Sequence, residues 1–239
     1  MFFPERIKSI KEGDRVLEVG LGGTPFHRSD VLLEKSFDDD EAAEQRGYAP
    51  SLMTDKEVVY FDGGRFPFSD GEFDYVICSH VLEHVQDVEF FVSELCRIAR
   101  AGYIEFPTIY YDYIYNIPKH VTMLMYKESE SVIYYMPKHA TGLGIAKDIQ
   151  EFFFRTTFKG YISLIDQLKM FMFQGFEWAG SVQTVKSSSF SDLLYDLDNI
   201  TIPEYFPPSL TCQCKTLALA KMGEIKSKLW RFIHARPRL

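Results

Sequence analysis

A glycine-rich turn with an acid just before it is the stretch of the sequence most able to do chemistry. Glu18 lies in the apolar run 16–19, and Gly20, Gly22 and Gly23 follow it. Glycines after a buried strand let the backbone turn tightly and approach a ligand that a Cβ would hold away. A carboxylate beside the turn would repel the pyrophosphate of a dinucleotide. The pattern therefore favours a ligand with a positive group and no phosphate.

Two further acids stand at the ends of the next two apolar runs. Glu34 follows the run 31–33, and Asp62 follows the run 58–61. A carboxylate at the end of the second strand accepts hydrogen bonds from ribose hydroxyls, and an adenine edge would lie at the end of the third. An ordinary dinucleotide fingerprint needs glycine where Pro25 stands and has no use for an acid at position 18. The three acids therefore predict a site for a different kind of nucleoside.

The elements that position these residues follow from the apolar periodicity. In the first half, short apolar runs alternate with helical or turn-like stretches, which is the signature of a parallel α/β sheet. The predicted strands are 16–19, 31–34, 58–61, 73–79 and 102–106. The spacing of apolar residues from Asp87 to Arg100 predicts a helix on one face of the sheet. For the second half we predict a hairpin of 121–126 and 131–136, helices over 145–159 and 161–174, and a strand over 176–186.

Three motifs give the chain a family resemblance. They are VLEVGLGG at 16–23, FPFSDGEFDYV at 66–76 and SHVLEHV at 79–85. With these motifs, residues 12–107 resemble the class I S-adenosylmethionine-dependent methyltransferases, specifically the methyltransferase type 11 group. The resemblance implies a Rossmann-like, doubly wound α/β fold, with a mostly parallel seven-stranded sheet whose last strand is antiparallel. The hairpin and helices after the fifth strand are then an insertion that faces the substrate.

The resemblance also implies where the cofactor, S-adenosyl-L-methionine, would bind. Its methionine part would lie near Glu18, Gly20, Gly22 and Gly23, its ribose at Glu34, its adenine at Asp62 and Gly63, and its reactive end at Ser79 and His80. The chain departs from the family pattern in one place. Only the seven residues 24–30 separate the glycines from the second strand, so the helix that the family has there must be absent or reduced to a turn.

The candidate catalytic residues follow the fourth and fifth strands. Methyl transfer to oxygen or nitrogen can need a general base within hydrogen-bond reach, and the candidates are Asp112, His120 and His80. His80 and His84 form an H-x-x-x-H pair that could share one helical face. That spacing can bind zinc, but the metalloprotease motif has its glutamate directly after the first histidine, and Glu83 stands elsewhere. We predict no metal site. Four tyrosines between 110 and 115 could form an aromatic wall for a substrate or the apolar filling of a lid.

Charge and composition limit the partners. The net charge of −8 argues against phosphate-driven binding to nucleic acid. The tail 223–239 carries five lysines and arginines against Glu224 and has apolar residues at helical spacing. It could contact an anionic membrane surface weakly or dock on the domain or on a protein. We expect a cytoplasmic protein with a methyltransferase domain over 1–190, a substrate-facing part over about 107–175, and a C-terminal extension over 191–239.

The sequence thus predicts methyl transfer to a small-molecule or carbohydrate-type acceptor, at oxygen. Two alternatives remain open. One is a catalytically weak or inactive protein of this fold that serves as an interaction module. The other is a methyltransferase of a macromolecule, RNA or protein.

Overall fold

The computed structural model describes residues 1–20, 25–36, 56–143, 149–150 and 168–195, with short stretches between 209 and 225. The predicted helices over 145–159 and 161–174 fall largely outside these ranges, as does the tail 223–239. Where the second helix can be compared, residues 168–172 are helical as predicted, but its end is wrong, because Phe173 and Gln174 belong to a strand.

The main sheet is mostly parallel, as predicted. Its strands are β1 (Val16–Val19), β2 (Val31–Lys35), β3 (Glu57–Phe61), β4 (Phe73–Ser79), β5 (Ala99–Pro107) and β8 (Phe173–Ala179). The order is β3-β2-β1-β4-β5-β8, with β8 antiparallel to β5. The first five positions have the order of a doubly wound α/β sheet. The described residues supply six strands of this sheet, so the predicted seventh stays a prediction.

Burial explains why these runs form strands. All four residues of β1 are buried, and so are the first four of β2. Strands covered on both faces read as continuous apolar runs. Glu18 and Glu34 are the exceptions inside those runs, and both are buried. A buried acid in a core strand costs free energy unless it is paired, which marks both positions for closer inspection.

One helix covers the sheet between β4 and β5. Helix α1 (Val88–Ile98) begins at Asp87, whose carboxylate accepts a hydrogen bond from the backbone N–H of Phe90 at 3.0 Å. This is a side-chain N-cap. Its buried face consists mainly of Val88, Val92, Leu95 and Ile98. The predicted helix is confirmed, except that Ala99 and Arg100 already belong to β5.

A second, smaller sheet follows the fifth strand. The predicted hairpin is present as β6 (Thr122–Lys127) and β7 (Val132–Pro137), and β9 (Gln183–Lys186) pairs parallel to β7. The single strand predicted over 176–186 is wrong. Gly180, at a φ of 79°, ends β8 and redirects the chain, so the two halves of that run lie in different sheets.

A short helix, α2 (Ile109–Tyr115), directly follows β5 and ends at Asn116 in the left-handed conformation. Later in the chain, Leu193 is fully buried in a cluster with Ile109 and Met123. The described chain as far as Tyr195 therefore packs on α2 and the hairpin. Among the described helices, none is long and apolar enough to cross a membrane.

Glu105 of β5 is a fully buried carboxylate that ties several elements together. It accepts hydrogen bonds of 2.7–3.1 Å from the backbone of Phe2 and Phe3 and from the side chains of Ser79, His80 and Tyr103. Burial alone would raise the pKa of Glu105. The hydrogen bond and charge of His80, helped by the other donors, hold that pKa at about 2. One ionised side chain therefore joins the N-terminal segment, the end of β4 and the middle of the sheet.

We predict that Glu105→Gln lowers the free energy of unfolding by about 3 kcal/mol, because removing one charge from a buried pair leaves the other uncompensated. The measurement is urea unfolding at neutral pH. Because the pKa of Glu105 lies below its ordinary value of 4.5, its contribution is present above pH 4.5 and is lost as the pH falls towards 2. The difference between wild type and variant should shrink over that interval.

Glu177→Gln is the matched control. Glu177 lies on β8, is half-buried, and accepts hydrogen bonds from Lys8, Ser9 and Tyr75. Since water can replace part of what is lost, we expect a cost of about 1 kcal/mol. Equal losses in the two variants would contradict the special role of Glu105.

Candidate functional site

Glu18 lies at the carboxyl end of β1, as the sequence predicts, and one of its carboxylate oxygens accepts hydrogen bonds from within the protein. Its Oε2 accepts hydrogen bonds from the backbone N–H of Phe26 at 2.8 Å and from Ser29 Oγ at 2.7 Å. Burial raises the pKa of Glu18 despite these donors. The acid therefore holds the segment 25–29 against the sheet. That segment makes a turn in place of a helix, as the short spacing predicted.

Gly20 is a position that only glycine can fill. Its φ is 83°, and a Cβ there would lie 2.4 Å from Cγ2 of Val81. Its N–H donates to the carbonyl of Leu33 at 2.9 Å. The turn after β1 is thus pressed against the start of the loop after β4. Gly22 and Gly23 lie outside the described residues.

The structure brings the predicted acids to one edge of the sheet. Glu18 pairs with Leu32 and Ile77, and Glu34 pairs with Tyr60, all in parallel register. The carboxyl ends of β1, β2, β3 and β4 therefore meet on the same side, where ligands of open α/β sheets bind. Glu34 is buried, while Asp62 just beyond β3 is exposed. Gly63 follows at a φ of 95°, so the chain turns sharply after that acid.

Ser79 and His80 end β4 beside this edge, and both are engaged by Glu105. Ser79 Oγ donates to Glu105 at 3.1 Å, and His80 contacts Glu105 through Nε2 at 3.0 Å and Glu83 through Nδ1 at 3.3 Å. Burial would lower the pKa of His80, but the two carboxylates raise it to about 9. The ring is therefore positively charged at neutral pH, which argues against His80 as a general base.

The predicted helical face shared by His80 and His84 is wrong. His80 has a φ of 58°, in the left-handed region, and only Leu82–His84 forms a single 3₁₀ turn. His84 instead approaches a histidine from a different segment. Its ring lies 5.1 Å from that of His120, at an interplanar angle of 77°.

Asp112 and His120 form a buried pair. Asp112, on α2, is completely buried, and its Oδ2 lies 2.6 Å from Nδ1 of His120. Its Oδ1 accepts hydrogen bonds from Lys138 Nζ at 2.9 Å and from the backbone N–H of Ile117 at 3.1 Å. With both oxygens used inside the protein, Asp112 has the position of a group that orients His120. The Nε2 of His120 is left pointing away from it.

Glu83 is a buried acid that the sequence analysis did not select. Its side chain is 1% exposed, and it lies between His80, His84 and His120. Burial raises its pKa, but the hydrogen bond and charge of His80 and the neighbouring imidazoles lower it overall. The usable signal was an acid next to a histidine just after β4. What the sequence could not show was that His120 would lie beside them.

The four tyrosines after β5 do not share one surface. Tyr111 and Tyr115 are buried with Phe3, Met172 and Phe173. Tyr110 stacks on Tyr195 with ring centroids 5.3 Å apart, and Tyr113 is 65% exposed. Most of this aromatic run is therefore packing, and it does not form a single wall for a substrate.

Residues 31–104 match the family described as "Methyltransferase domain". The matched segment runs from β2 into β5 and so contains Glu34, Asp62, Ser79 and Glu83. The glycine turn before it lies outside the match.

Two curated relatives come from Rauvolfia serpentina. Ajmaline N-methyltransferase is 30% identical over 100 residues, which cover 38% of this chain and 34% of the relative. Norajmaline N-methyltransferase is 44% identical over 50 residues, which cover 20% of this chain and 17% of the relative. The chain thus spans about a third or less of the length of the curated relatives it matches.

Among solved structures, the protein PH0226 from Pyrococcus horikoshii OT3 is 20% identical, with 54% of this chain and 65% of that chain covered and a TM-score of 0.35. The strand order of the main sheet and the match to a methyltransferase domain agree with the resemblance seen in the motifs. Over residues 31–104, the chain is similar to the methyltransferase domain family.

Proposed function

We propose that this protein transfers a methyl group from S-adenosylmethionine to a small-molecule or carbohydrate-type acceptor, with oxygen as the accepting atom. The observation that carries the proposal is the meeting of Glu18, Glu34 and Asp62 at one sheet edge, in a chain that matches a methyltransferase domain. The edge is acidic, and the cofactor is a nucleoside with a positive sulfonium and no phosphate.

The described residues fit this cofactor. Gly20 leaves no room for a side chain at the turn, so the backbone there can lie against the methionine part. The buried carboxylate of Glu34 would accept the ribose hydroxyls, and Asp62 with Gly63 would face the adenine edge. Ser79 and His80 stand beside the reactive end. Gly22 and Gly23 complete the assignment from the sequence alone.

When bound, S-adenosylmethionine supplies an electrophilic methyl group. The protein's part is to place the acceptor in line with that group and to take the proton that a hydroxyl acceptor loses. His120 suits the second task better than Asp112 or His80. Asp112 orients its ring through Nδ1 and leaves Nε2 to act as the base, whereas both oxygens of Asp112 are already hydrogen-bonded and His80 is charged.

A nitrogen acceptor is the second candidate, because both curated relatives are named N-methyltransferases. Those names also favour a small-molecule acceptor.

The proposal also covers the location and the domains of the protein. We propose a cytoplasmic location, a methyltransferase domain over 1–190, a C-terminal extension over 191–239, and weak contact of the tail 223–239 with a membrane or a protein. The net charge of −8 argues against a nucleic-acid acceptor.

The cofactor assignment is tested by calorimetric titration of S-adenosylmethionine into wild type and Glu34→Ala. We expect micromolar binding that weakens at least tenfold in the variant, a loss of about 1.4 kcal/mol, because the ribose loses its acceptor. Glu57→Ala is the matched control. Glu57 is an exposed acid at the opposite end of β3, so its removal should leave the affinity within twofold. Absence of binding to wild type would refute the assignment and favour the interaction-module alternative.

The role of His120 is tested by following S-adenosylhomocysteine formation with panels of hydroxyl and amine acceptors. We expect turnover with a hydroxyl acceptor, and a loss of about 100-fold in His120→Ala with unchanged cofactor affinity, as for removal of a general base. Asp112→Asn should show a smaller loss of the same kind. His139→Ala changes an exposed histidine and should act as wild type. Turnover of amines alone would overturn the assignment of oxygen as the accepting atom. Full activity of His120→Ala would exclude His120 as the general base.

A further inference from the structure

Three potential metal ligands, from two segments of the chain, converge beside the loop after β4. One ligand atom each from Glu83, His84 and His120 lie within 4.8 Å of one another. Glu83 and His84 belong to the 3₁₀ turn Leu82–His84, and His120 stands two residues before β6. The cluster therefore joins two segments that are 36 residues apart in the sequence.

In both imidazoles, Nδ1 is engaged by a group outside the cluster, which leaves Nε2 as the nitrogen for a ligand. Nδ1 of His84 lies 3.0 Å from the carbonyl oxygen of Lys119, and Nδ1 of His120 lies 2.6 Å from the carboxylate of Asp112. A neutral ring that donates from Nδ1 keeps its lone pair on Nε2. Metal-binding histidines are held in this way, by a backbone carbonyl or a carboxylate on the far nitrogen.

Glu83 supplies a second, independent observation. The side chain is 1% exposed, and its Oε1 contacts His80 at 3.3 Å. Its Oε2 is buried and has no hydrogen-bond partner among the described residues. Leaving a buried charged oxygen unsatisfied costs free energy. A cation at the cluster would remove that cost.

The cluster is also held in place and open on one side. The N–H of Val121 donates to the carbonyl of Glu83 at 2.8 Å, and Thr122 Oγ1 donates to the carbonyl of Val85 at 2.6 Å. These bonds fix the 3₁₀ turn against the start of β6. Glu83 and His120 are buried, whereas His84 is exposed, so further ligands could reach an ion from the solvent side.

We propose that Glu83, His84 and His120 bind a divalent transition-metal ion, with at least one coordination position open to a water molecule or a substrate oxygen. Two imidazoles and one carboxylate with an open position form a catalytic zinc donor set. They are also the donor set of non-haem iron sites. Around a tetrahedral zinc the ligand atoms would stand about 3.4 Å apart. The exposed ring of His84 is the one that can move to close the cluster.

The position of the cluster suggests that the ion takes part in catalysis, an inference that rests on the proposed function. Val81, two residues before Glu83, touches Gly20, so an ion here would lie next to the loop assigned to the reactive end of the cofactor. An acceptor hydroxyl bound to the ion would be positioned there, and the ion would lower the pKa of that hydroxyl, so that its proton would pass to water at the exposed side of the cluster beside His84. His120 would then hold the ion, and its Nε2 would not be free to accept a proton.

The test is a calorimetric titration of zinc alone into the full chain after treatment with EDTA. We expect one equivalent to bind, and the affinity to fall at least tenfold in His84→Ala, which removes an exposed ligand and should fold normally. Glu83→Gln should weaken binding similarly. His139→Ala and Cys214→Ser are matched controls, a histidine and a thiol that are both exposed and outside the cluster, and both should titrate like wild type.

Absence of a zinc equivalent in wild type would overturn the proposal, and so would equal affinity in wild type and His84→Ala. Because no cofactor is present, either outcome leaves the assignment of S-adenosylmethionine untouched. The role in catalysis has its own readout. Metal-bound His120 predicts that EDTA abolishes turnover and that added zinc restores it, with cofactor affinity unchanged. Full turnover in EDTA would show that His120 works as a base without an ion.

Discussion

The ionised carboxylate of Glu105 is the constraint on which the rest of the candidate site depends. It has no exposed surface, so its charge is tolerated only while its donors surround it. Those donors come from the N-terminal segment, from β4 and from β5 itself. His80 is one of them, and the left-handed backbone at His80 aims the loop that follows towards Gly20 and the cluster. Replacing this carboxylate would therefore shift Ser79 and His80, the predicted cofactor contacts near β4.

Buried acids fix the histidines of the site in different ways. Glu105 and Glu83 hold His80 between them and keep it charged. Asp112 holds His120 by one nitrogen and leaves the other free. His80 therefore has a structural role, and His120 is left able to act chemically. The sequence does not distinguish them, because each is a histidine that follows a predicted strand. What a histidine can do here is decided by which of its nitrogens an acid occupies.

The sequence was sufficient where one local pattern determines one local structure. Continuous apolar runs gave β1, β2 and β4, and the spacing in 88–98 gave α1. The acids at the ends of the predicted strands could be placed on one edge of the sheet, because parallel strands all end on the same side. The break at Gly180 was missed because an apolar alternation continues through it. The cluster of Glu83, His84 and His120 was missed because it needs a contact across 36 residues, and no period in the sequence records that contact.

The close contact between Gly20 and Val81 connects the shortened glycine turn to the cluster. With no helix after the glycines over the described residues 25–30, the usual helix N-terminus is unavailable to help hold a ligand. Glu18 instead ties that segment down through Phe26 and Ser29, and Gly20 packs directly on Val81. The loop after β4 therefore takes over part of the support of the turn. A ligand on Glu83, His84 and His120 would stiffen that loop and, through Val81, the turn itself.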